Sequence, residues 1–385
     1  MIDVLVVADD RTGALETAGL CADAGGVPVP VHVGALRSNA GAVVVVDLQT
    51  RHIAASRAAE LAAGVESVSA VRAAHKIDST LRGNWAHELV ARHRAGRERV
   101  LLVLAFPELG RTCVRGVVYE HGRPVADRGI GSDARRLIDS SRPAEHLRRA
   151  GAPAVAELAD ASAVTAWLAD PNAAEFAVCD AETDASMHAV GLVWAGSPQV
   201  LLAGTAASIA AGLASLVRGP SVTAAVDVAL SALSLPALVV CGSLNAVARR
   251  QIAALRAVGA AAANEGEKNA AIADALRQGG VAVLVSPEPT VFPVADDEAV
   301  FAADRLARSA SAVIAAGSVR TVLLIGGDTA AAVLGDGEVL VGGTVAPGMP
   351  WIHRSNLESP LVLTRAGGFG GDDALVRLFR AGRRS

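Results

Sequence analysis

The sequence predicts an α/β fold of two domains, each a mostly parallel sheet flanked by helices. Three observations carry this. Short β-branched runs alternate with longer alanine-rich stretches, as in repeated strand–helix units. The runs are apolar throughout rather than alternating, which suits strands buried on both faces. The length of 385 residues suits roughly two domains at ~150 residues each.

The clearest strands are Val4–Val7, Ala42–Val46, Val100–Leu104, Ala237–Val240, Val281–Val285 and Thr321–Ile325. Helical segments lie between them, at Ala54–Ala63, Trp85–Arg94, Ala246–Ala257, Asn269–Arg277 and Asp297–Ala316. The pattern falters over Ser221–Pro236 and restarts with a fresh strand. This places an N-terminal domain at 1–225 and a C-terminal domain at 236–385. No internal repeat is visible.

Composition excludes several classes. Hydrophobic residues are 52% of the chain, enough for a sizeable core, while aromatics are only 3%. So few aromatics cannot build the stacking platforms of single-stranded nucleic-acid binders. The net charge of -4 is spread over interspersed charges with no basic tract, so neither nucleic acid nor an anionic membrane is an expected partner. Cys21, Cys113, Cys179 and Cys241 are far apart and form no CxxC pair, which argues against a disulfide framework or structural zinc. Met1 leads directly into a strand with no basic segment ahead of it, and no apolar run approaches the ~18 residues of a membrane span. A cytoplasmic protein is expected.

The polar motifs share one placement, directly after a buried strand. Asp9-Asp10 follows Val4–Val7, and Asp47-Leu48-Gln49-Thr50-Arg51 follows Ala42–Val46. Phe106-Pro107-Glu108, Gly242-Ser243 and Gly326-Gly327-Asp328-Thr329 follow three further strands. Ligands of open α/β sheets bind beyond the carboxyl ends of strands.

The densest polar segment is Lys76-Ile77-Asp78-Ser79-Thr80-Leu81-Arg82-Gly83-Asn84. It suits a small anionic ligand rich in hydroxyls. Arg82 offers a planar fork for a carboxylate, Lys76 a point charge, and Asp78 an acceptor for hydroxyls. The plain alternative is a solvated salt-bridge cluster with Ser79-Thr80 as a helix cap. Asp9 and Asp10 read either as ligand-binding carboxylates or as helix caps, although capping accounts for one of the two. His75 is the histidine to watch, because it adjoins Lys76.

Gly326-Gly327-Asp328-Thr329 opens a helix after a buried strand, where backbone donors favour phosphate. Gly242-Ser243 and Gly367-Gly368-Phe369-Gly370 repeat the glycine theme in the same domain, with tight turns as the alternative. There is no GxxxxGK[ST]. The GxGxxA match Gly129-Ile130-Gly131-Ser132-Asp133-Ala134 follows no buried strand, so it reads as chance.

Together these motifs resemble the four-carbon acid sugar kinase family, nearly end to end. The resemblance rests on Ala8 through Ala14, Lys76 through Asn84, Ala105 through Thr112, Asp180 through Asp184 and Gly204-Thr205-Ala206-Ala207. It continues through Cys241-Gly242-Ser243, Gly326 through Ala330, Pro347-Gly348-Met349-Pro350 and Gly367 through Gly370. Two departures stand out. Arg365 occupies a position where the family usually has Lys, and the glycine-serine-alanine-glycine motif is loosened to Gly204-Thr205-Ala206-Ala207.

The resemblance implies an ATP-dependent kinase that phosphorylates the C4 hydroxyl of D-threonate, D-erythronate or 3-oxo-tetronate. The acid sugar would take the N-terminal domain and ATP the C-terminal one, with the active site in the cleft between them. Carried onto this chain, the ATP contacts fall at Ser243, Gly326, Gly327, Asp328, Thr329 and Gly367. The substrate side falls on Asp9, Asp10, Arg51, Lys76, Asp78 and Arg82. Asp10 is the first choice for proton acceptor and Asp78 the second, with Arg82 on the substrate carboxylate or the phosphoryl group. Mg²⁺ would bridge phosphate oxygens with few direct protein ligands. The expected partners are a small sugar acid and a second copy in a homodimer. Two other readings remain at this point. A nicotinamide-dependent oxidoreductase of small hydroxy acids would need a dinucleotide fingerprint, and a sugar-acid sensor would bind without turnover.

Overall fold

The computed structural model describes residues 2–36, 42–128, 138–216, 233–264, 270–288, 294–317, 319–353 and 359–381. The GxGxxA match and most of the Ser221–Pro236 join lie outside the described residues. The chain divides into two compact units. The first comprises Met1–Gly129 with Leu137–Ser221, and the second is built on Val222–Ser385.

In the first unit the strands are β1 (Ile2–Ala8), β2 (Val29–Val33), β3 (Val43–Asp47), β4 (Ala70–Lys76), β5 (Arg99–Val103), β6 (Arg111–Val114), β7 (Val117–Glu120), β8 (Arg123–Pro124), β9 (Val155–Leu158), β10 (Phe176–Cys179) and β11 (Val200–Gly204). Eight of them run in the order β2-β3-β1-β4-β11-β5-β10-β9, with every pairing parallel. The apolar runs are the reason, because Val4 to Ala8 and Val44 to Val46 are buried on both faces. Strands β6-β7-β8 form a separate antiparallel sheet.

Helices cover the eight-stranded sheet in two layers. Arg11–Gly25, Ala206–Ala214 and Asp184–Ala195 pack side by side, as do Ala55–Gly64 and Trp85–Arg94. Leu5, Val7, Val44 and Val46 pack with Ala62 in one core cluster, and Trp85, Leu89 and Leu147 pack on Val100, Leu102 and Val178 in another. The helix Arg11–Gly25 starts where Asp10 accepts from the Gly13 N–H, and ends at Gly26 in the left-handed region.

The second unit contains β12 (Ala237–Cys241), β13 (Ala261–Asn264), β14 (Val281–Val285), β15 (Thr321–Ile325), β16 (Val339–Ala346), β17 (Met349–Ile352) and β18 (Leu361–Arg365). Their order is β13-β14-β12-β15-β18-β17-β16. The first five pair in parallel and the last two add antiparallel. Helix Ala246–Ala257 packs with Ala374–Ala381, and Asp296–Ala315 with Gly327–Leu334.

The two units wind alike, although the sequence shows no repeat. In each, the first four strands lie in the spatial order second, third, first, fourth. The chain leaves β1 toward β2 on one side and leaves β4 toward β5 on the other. A crevice therefore opens beyond the carboxyl ends of β1 and β4, the switch point of an open α/β sheet. The same argument marks β12 and β15 in the second unit. Among the described residues no helix is long and apolar enough to cross a membrane.

Candidate active site

The first cluster stands on three neighbouring strands, β3, β1 and β4. Asp9 and Asp10 follow β1, Arg51 follows β3, Lys76 ends β4, and Asp78 and Arg82 lie in the loop beyond it. The structure brings all six together. Arg51 is buried at the centre. Its Nε donates to Asp9 Oδ2 at 2.8 Å and its Nη2 to Asp9 Oδ1 at 2.7 Å. Its Nη1 lies 2.7 Å from Asp10 Oδ2, and Nη2 lies 3.8 Å from Asp78 Oδ1.

Arg82 grips Asp78 in the same forked way, Nε to Oδ2 at 2.8 Å and Nη2 to Oδ1 at 2.7 Å. Its side chain keeps 34% exposure, so this is the cation with a face to solvent. Thr80 Oγ1 and the Thr80 N–H also donate to Asp78 Oδ2. Ser79-Thr80 therefore does not cap the next helix. That helix, Trp85–Arg94, starts at Asn84 with no side-chain cap. The Asn84 amide instead donates to the carbonyls of Thr50 and Ile53, at 2.7 and 2.9 Å, and ties the loop after β3 to the loop after β4.

Lys76 is buried beside the start of helix Arg11–Gly25. A Cβ at Gly13 would sit 2.9 Å from its Nζ and 2.6 Å from Asp10 Oδ1, so position 13 admits only glycine without a shift. Gly83 has a second reason to be glycine. Its φ is +92°, in the left-handed region, and a Cβ there would lie 2.9 Å from Asp9 Oδ2.

His75 does not face this cluster's carboxylates. Arg92 Nη1 lies 3.2 Å from its Nδ1, and its Nε2 lies 2.8 Å from Glu88 Oε2. A guanidinium only donates, so Nδ1 accepts and Nε2–H donates to Glu88. Glu66 closes the chain on Arg92. This buried network fixes the end of β4 from behind.

Asp9 and Asp10 divide the two readings of the pair between them. Asp10 caps the helix, accepting from the Gly13 N–H at 2.9 Å and the Thr12 hydroxyl at 2.6 Å. Asp9 serves Arg51. Burial alone would raise the Asp10 carboxyl, but Arg51 and Lys76 outweigh it and bring it below the ordinary value. Burial likewise works against Asp78, and Arg82, Arg51 and Lys76 hold it well below the usual carboxylate range. Both are weak bases at neutral pH.

Three features of the cluster escaped sequence reasoning. Arg11 Nε donates to Asp47 Oδ2 at 2.8 Å, a buried pair next to the Asp9–Arg51 pair. Arg111, on β6, pairs with Glu120. Glu16 lies inside the helix Arg11–Gly25, one turn beyond Gly13, and burial pushes its carboxyl up to about 7. Its only trace in the sequence is an acid three positions after Gly13 in an otherwise mostly apolar helix.

The second cluster stands on β12, β15 and β18. Gly242 N–H donates to Thr329 Oγ1 at 3.1 Å, which joins the ends of β12 and β15. Gly326 N–H donates to the Arg365 carbonyl at 3.0 Å, which joins β15 to β18. A Cβ at Gly367 would fall 1.9 Å from Ser243 Oγ, so the glycine loop lies directly against Ser243. Ser243, Gly326, Thr329 and Gly367 are thus in one place, with Gly327 and the exposed Asp328 opening the helix Gly327–Leu334.

That helix starts without a side-chain cap, so its first N–H groups point beyond the strand ends. Such donors suit a phosphate. Gln251 Nε2 donates to the carbonyls of Phe369 and Gly371, at 3.0 and 2.8 Å, and Arg365 Nη2 donates to Phe369, so two side chains shape the glycine loop. Burial lowers Arg365 to about 10. Among the described residues no group of three or more His, Cys, Asp or Glu converges as a metal cage.

Known proteins extend the comparison. The model of the sugar-binding N-terminal domain matches residues 4–213, and that of the nucleotide-binding C-terminal domain matches residues 238–375. A D-threonate kinase of Bordetella bronchiseptica is 31% identical, with 98% of this chain and 96% of the relative covered. D-threonate kinases of Salmonella typhimurium and Cupriavidus necator are each 28% identical, over 97% and 98% of this chain and 96% and 97% of theirs. A solved structure from Salmonella typhimurium LT2, provisionally described as a tRNA synthase, matches with a TM-score of 0.73 at 21% identity, over 100% of this chain and 99% of the other. A Haemophilus influenzae protein matches with a TM-score of 0.67 at 18% identity, over 99% of both chains. These two likenesses speak to the fold alone. On the two domain matches and the full-length relatives, the chain belongs to the four-carbon acid sugar kinase family and is an enzyme of the kinase class.

Proposed function

We propose that this kinase transfers the γ-phosphoryl group of MgATP to the C4 hydroxyl of a four-carbon sugar acid, D-threonate first among them. The observation that carries the reading is the cluster at β1, β3 and β4. Three carboxylates (Asp9, Asp10, Asp78) face three cations (Arg51, Lys76, Arg82) at a switch point inside the sugar-binding match. The names of the three full-length relatives give D-threonate its priority.

In this reading Arg82, the cation with solvent exposure, takes the substrate carboxylate by its planar fork. Lys76 adds a charge beside Asp10. Arg51 holds Asp9 and Asp10 in fixed positions, so that hydroxyls meet carboxylates already oriented. The second cluster takes the nucleotide: the N–H groups at Gly326 to Thr329 would cradle phosphates, with Ser243 and Gly367 closing the pocket. MgATP would supply the phosphoryl group, and Mg²⁺ would offset charge as it develops. The protein's part is mostly positioning and charge stabilisation. Phosphorus–proton correlation NMR of the product tests the regiochemistry. A correlation to the C4 protons is expected, and one to C2 or C3 overturns the C4 assignment.

A further inference from the structure

We propose that Glu16 is the group that accepts the proton of the phosphorylated hydroxyl, an inference that rests on the kinase reading above.

The argument begins with the carboxylates already in use. Asp9 spends both oxygens on Arg51. Asp10 receives Arg51, Thr12 and the Gly13 N–H. Asp78 receives Arg82 through both oxygens and Thr80 as well. Asp47 receives Arg11 and the Gln49 N–H. Cations and N–H or O–H donors occupy all four, and they hold Asp10 and Asp78 below the ordinary carboxylate value, whereas burial raises Asp9 and lifts Asp47 to about 6 although each keeps its arginine.

Glu16 differs in keeping an oxygen that no donor occupies. It is 7% exposed, and its Oε1 is buried without a hydrogen-bond partner. Buried polar atoms in native proteins are nearly always paired, so an orphaned carboxyl oxygen beside a candidate substrate site asks for a missing partner. A substrate hydroxyl is one. The helix places Glu16 on the face of Gly13, three residues earlier, where Lys76 Nζ makes its close approach.

The charged groups facing Glu16 come from each element packed there. They are Lys76 at the end of β4, Asp10 at the helix cap, Asp78 in the loop after β4, and Arg111 on β6. Burial is the largest influence and raises the carboxyl to about 7, with Asp10 and Asp78 adding and Lys76 and Arg111 opposing. A general base works best with a proton affinity near the operating pH.

The step balances. The C4 oxygen forms its bond to the γ-phosphorus while the bond from that phosphorus to the bridging β,γ oxygen breaks. ADP leaves with that electron pair. The hydroxyl proton passes to Glu16, which afterwards releases it to solvent.

The experiment is ADP release by the full chain with MgATP and D-threonate from pH 5.5 to 9, for wild type, Glu16→Gln and Glu16→Asp. Thermal unfolding and ATP titration accompany each variant. The proposal expects wild-type kcat to rise with pH through an apparent pKa near neutrality. Glu16→Gln should lose ~10²- to 10⁴-fold in kcat, with little change in KM, and should lose that limb of the profile. Glu16→Asp should recover part of kcat and keep the limb. A folded Glu16→Gln protein within threefold of wild type overturns the assignment and leaves the kinase reading standing. If Glu16→Gln does not fold, a wild-type kcat that stays flat from pH 5.5 to 9 overturns it. Absence of acid-dependent turnover by wild type on any four-carbon acid removes the kinase reading itself, and this inference with it.

Discussion

Arg51 and Asp9 are joined by two parallel hydrogen bonds of 2.8 and 2.7 Å across 42 positions of sequence. Their strands, β3 and β1, are neighbours in the sheet, so a contact far apart in the chain is local in the fold. The pair is buried, and it fixes Arg51 to reach Asp10 and Asp78 as well.

Removing Arg51 therefore leaves buried carboxylates without compensation. Arg51→Ala should destabilise the protein by ~3–5 kcal/mol, read by urea unfolding. Arg51→Lys keeps the charge but loses the fork, so it should fold better than Arg51→Ala yet lose most of its kcat/KM.

Arg82 makes a similar fork but keeps solvent contact, and Asp78 retains Thr80 and Arg51 when it is gone. Arg82→Ala should cost at most ~1 kcal/mol of stability. Its effect should fall on the sugar acid instead, with KM for that substrate raised ~10-fold or more and KM for ATP little changed. Steady-state kinetics with each substrate varied in turn checks this.

Gly367 lies against Ser243, and a methyl group there would displace the serine. Overpacking of this kind costs ~1–3 kcal/mol, so Gly367→Ala should weaken ATP ~10- to 100-fold by calorimetric titration. Sugar-acid binding should be unaffected, because the Arg51 cluster is built within the other unit.

Glu16 carries a stability signature separate from catalysis. Its carboxyl rises from 4.5 to about 7 on folding. The folded state thus holds a proton that the unfolded state has released, and stability falls as pH rises from 4.5 through about 7. The full penalty above that window is about 3 kcal/mol. Glu16→Gln lacks it, so its unfolding free energy relative to wild type should increase between pH 5 and pH 8. Urea unfolding at the two pH values reads the difference.

The parallel sheets were legible from six of their strands, which are runs of mostly apolar residues. Val281–Val285 and Thr321–Ile325 match the sequence expectation residue for residue, as do the helices Trp85–Arg94 and Ala246–Ala257. Strand β4 was not marked, because Ala70–Lys76 mixes alanines with Arg72, His75 and Lys76. Polar side chains are tolerated there because Arg72 reaches the Ala195 carbonyl and His75 is locked between Glu88 and Arg92. Arginine partners far along the chain are invisible to local pattern.

At the site, residue types and strand-end placement, together with the family resemblance, collected six side chains that do meet. Their division of labour was not readable. Which of Asp9 and Asp10 caps the helix depends on backbone direction at the end of β1. Glu16 was hidden because a lone acid in an apolar helix looks like a solvent-facing residue until its burial is known. The antiparallel β6–β8 sheet, which brings Arg111 toward Glu16, left no comparable signal in its short mixed segments.

The most direct test of the kinase account is ADP release from MgATP with D-threonate, D-erythronate, L-threonate and 3-oxo-tetronate. The account predicts turnover on at least one of these acids and none when the acid is left out. Folded protein that neither binds ATP nor releases ADP with any of them would contradict it.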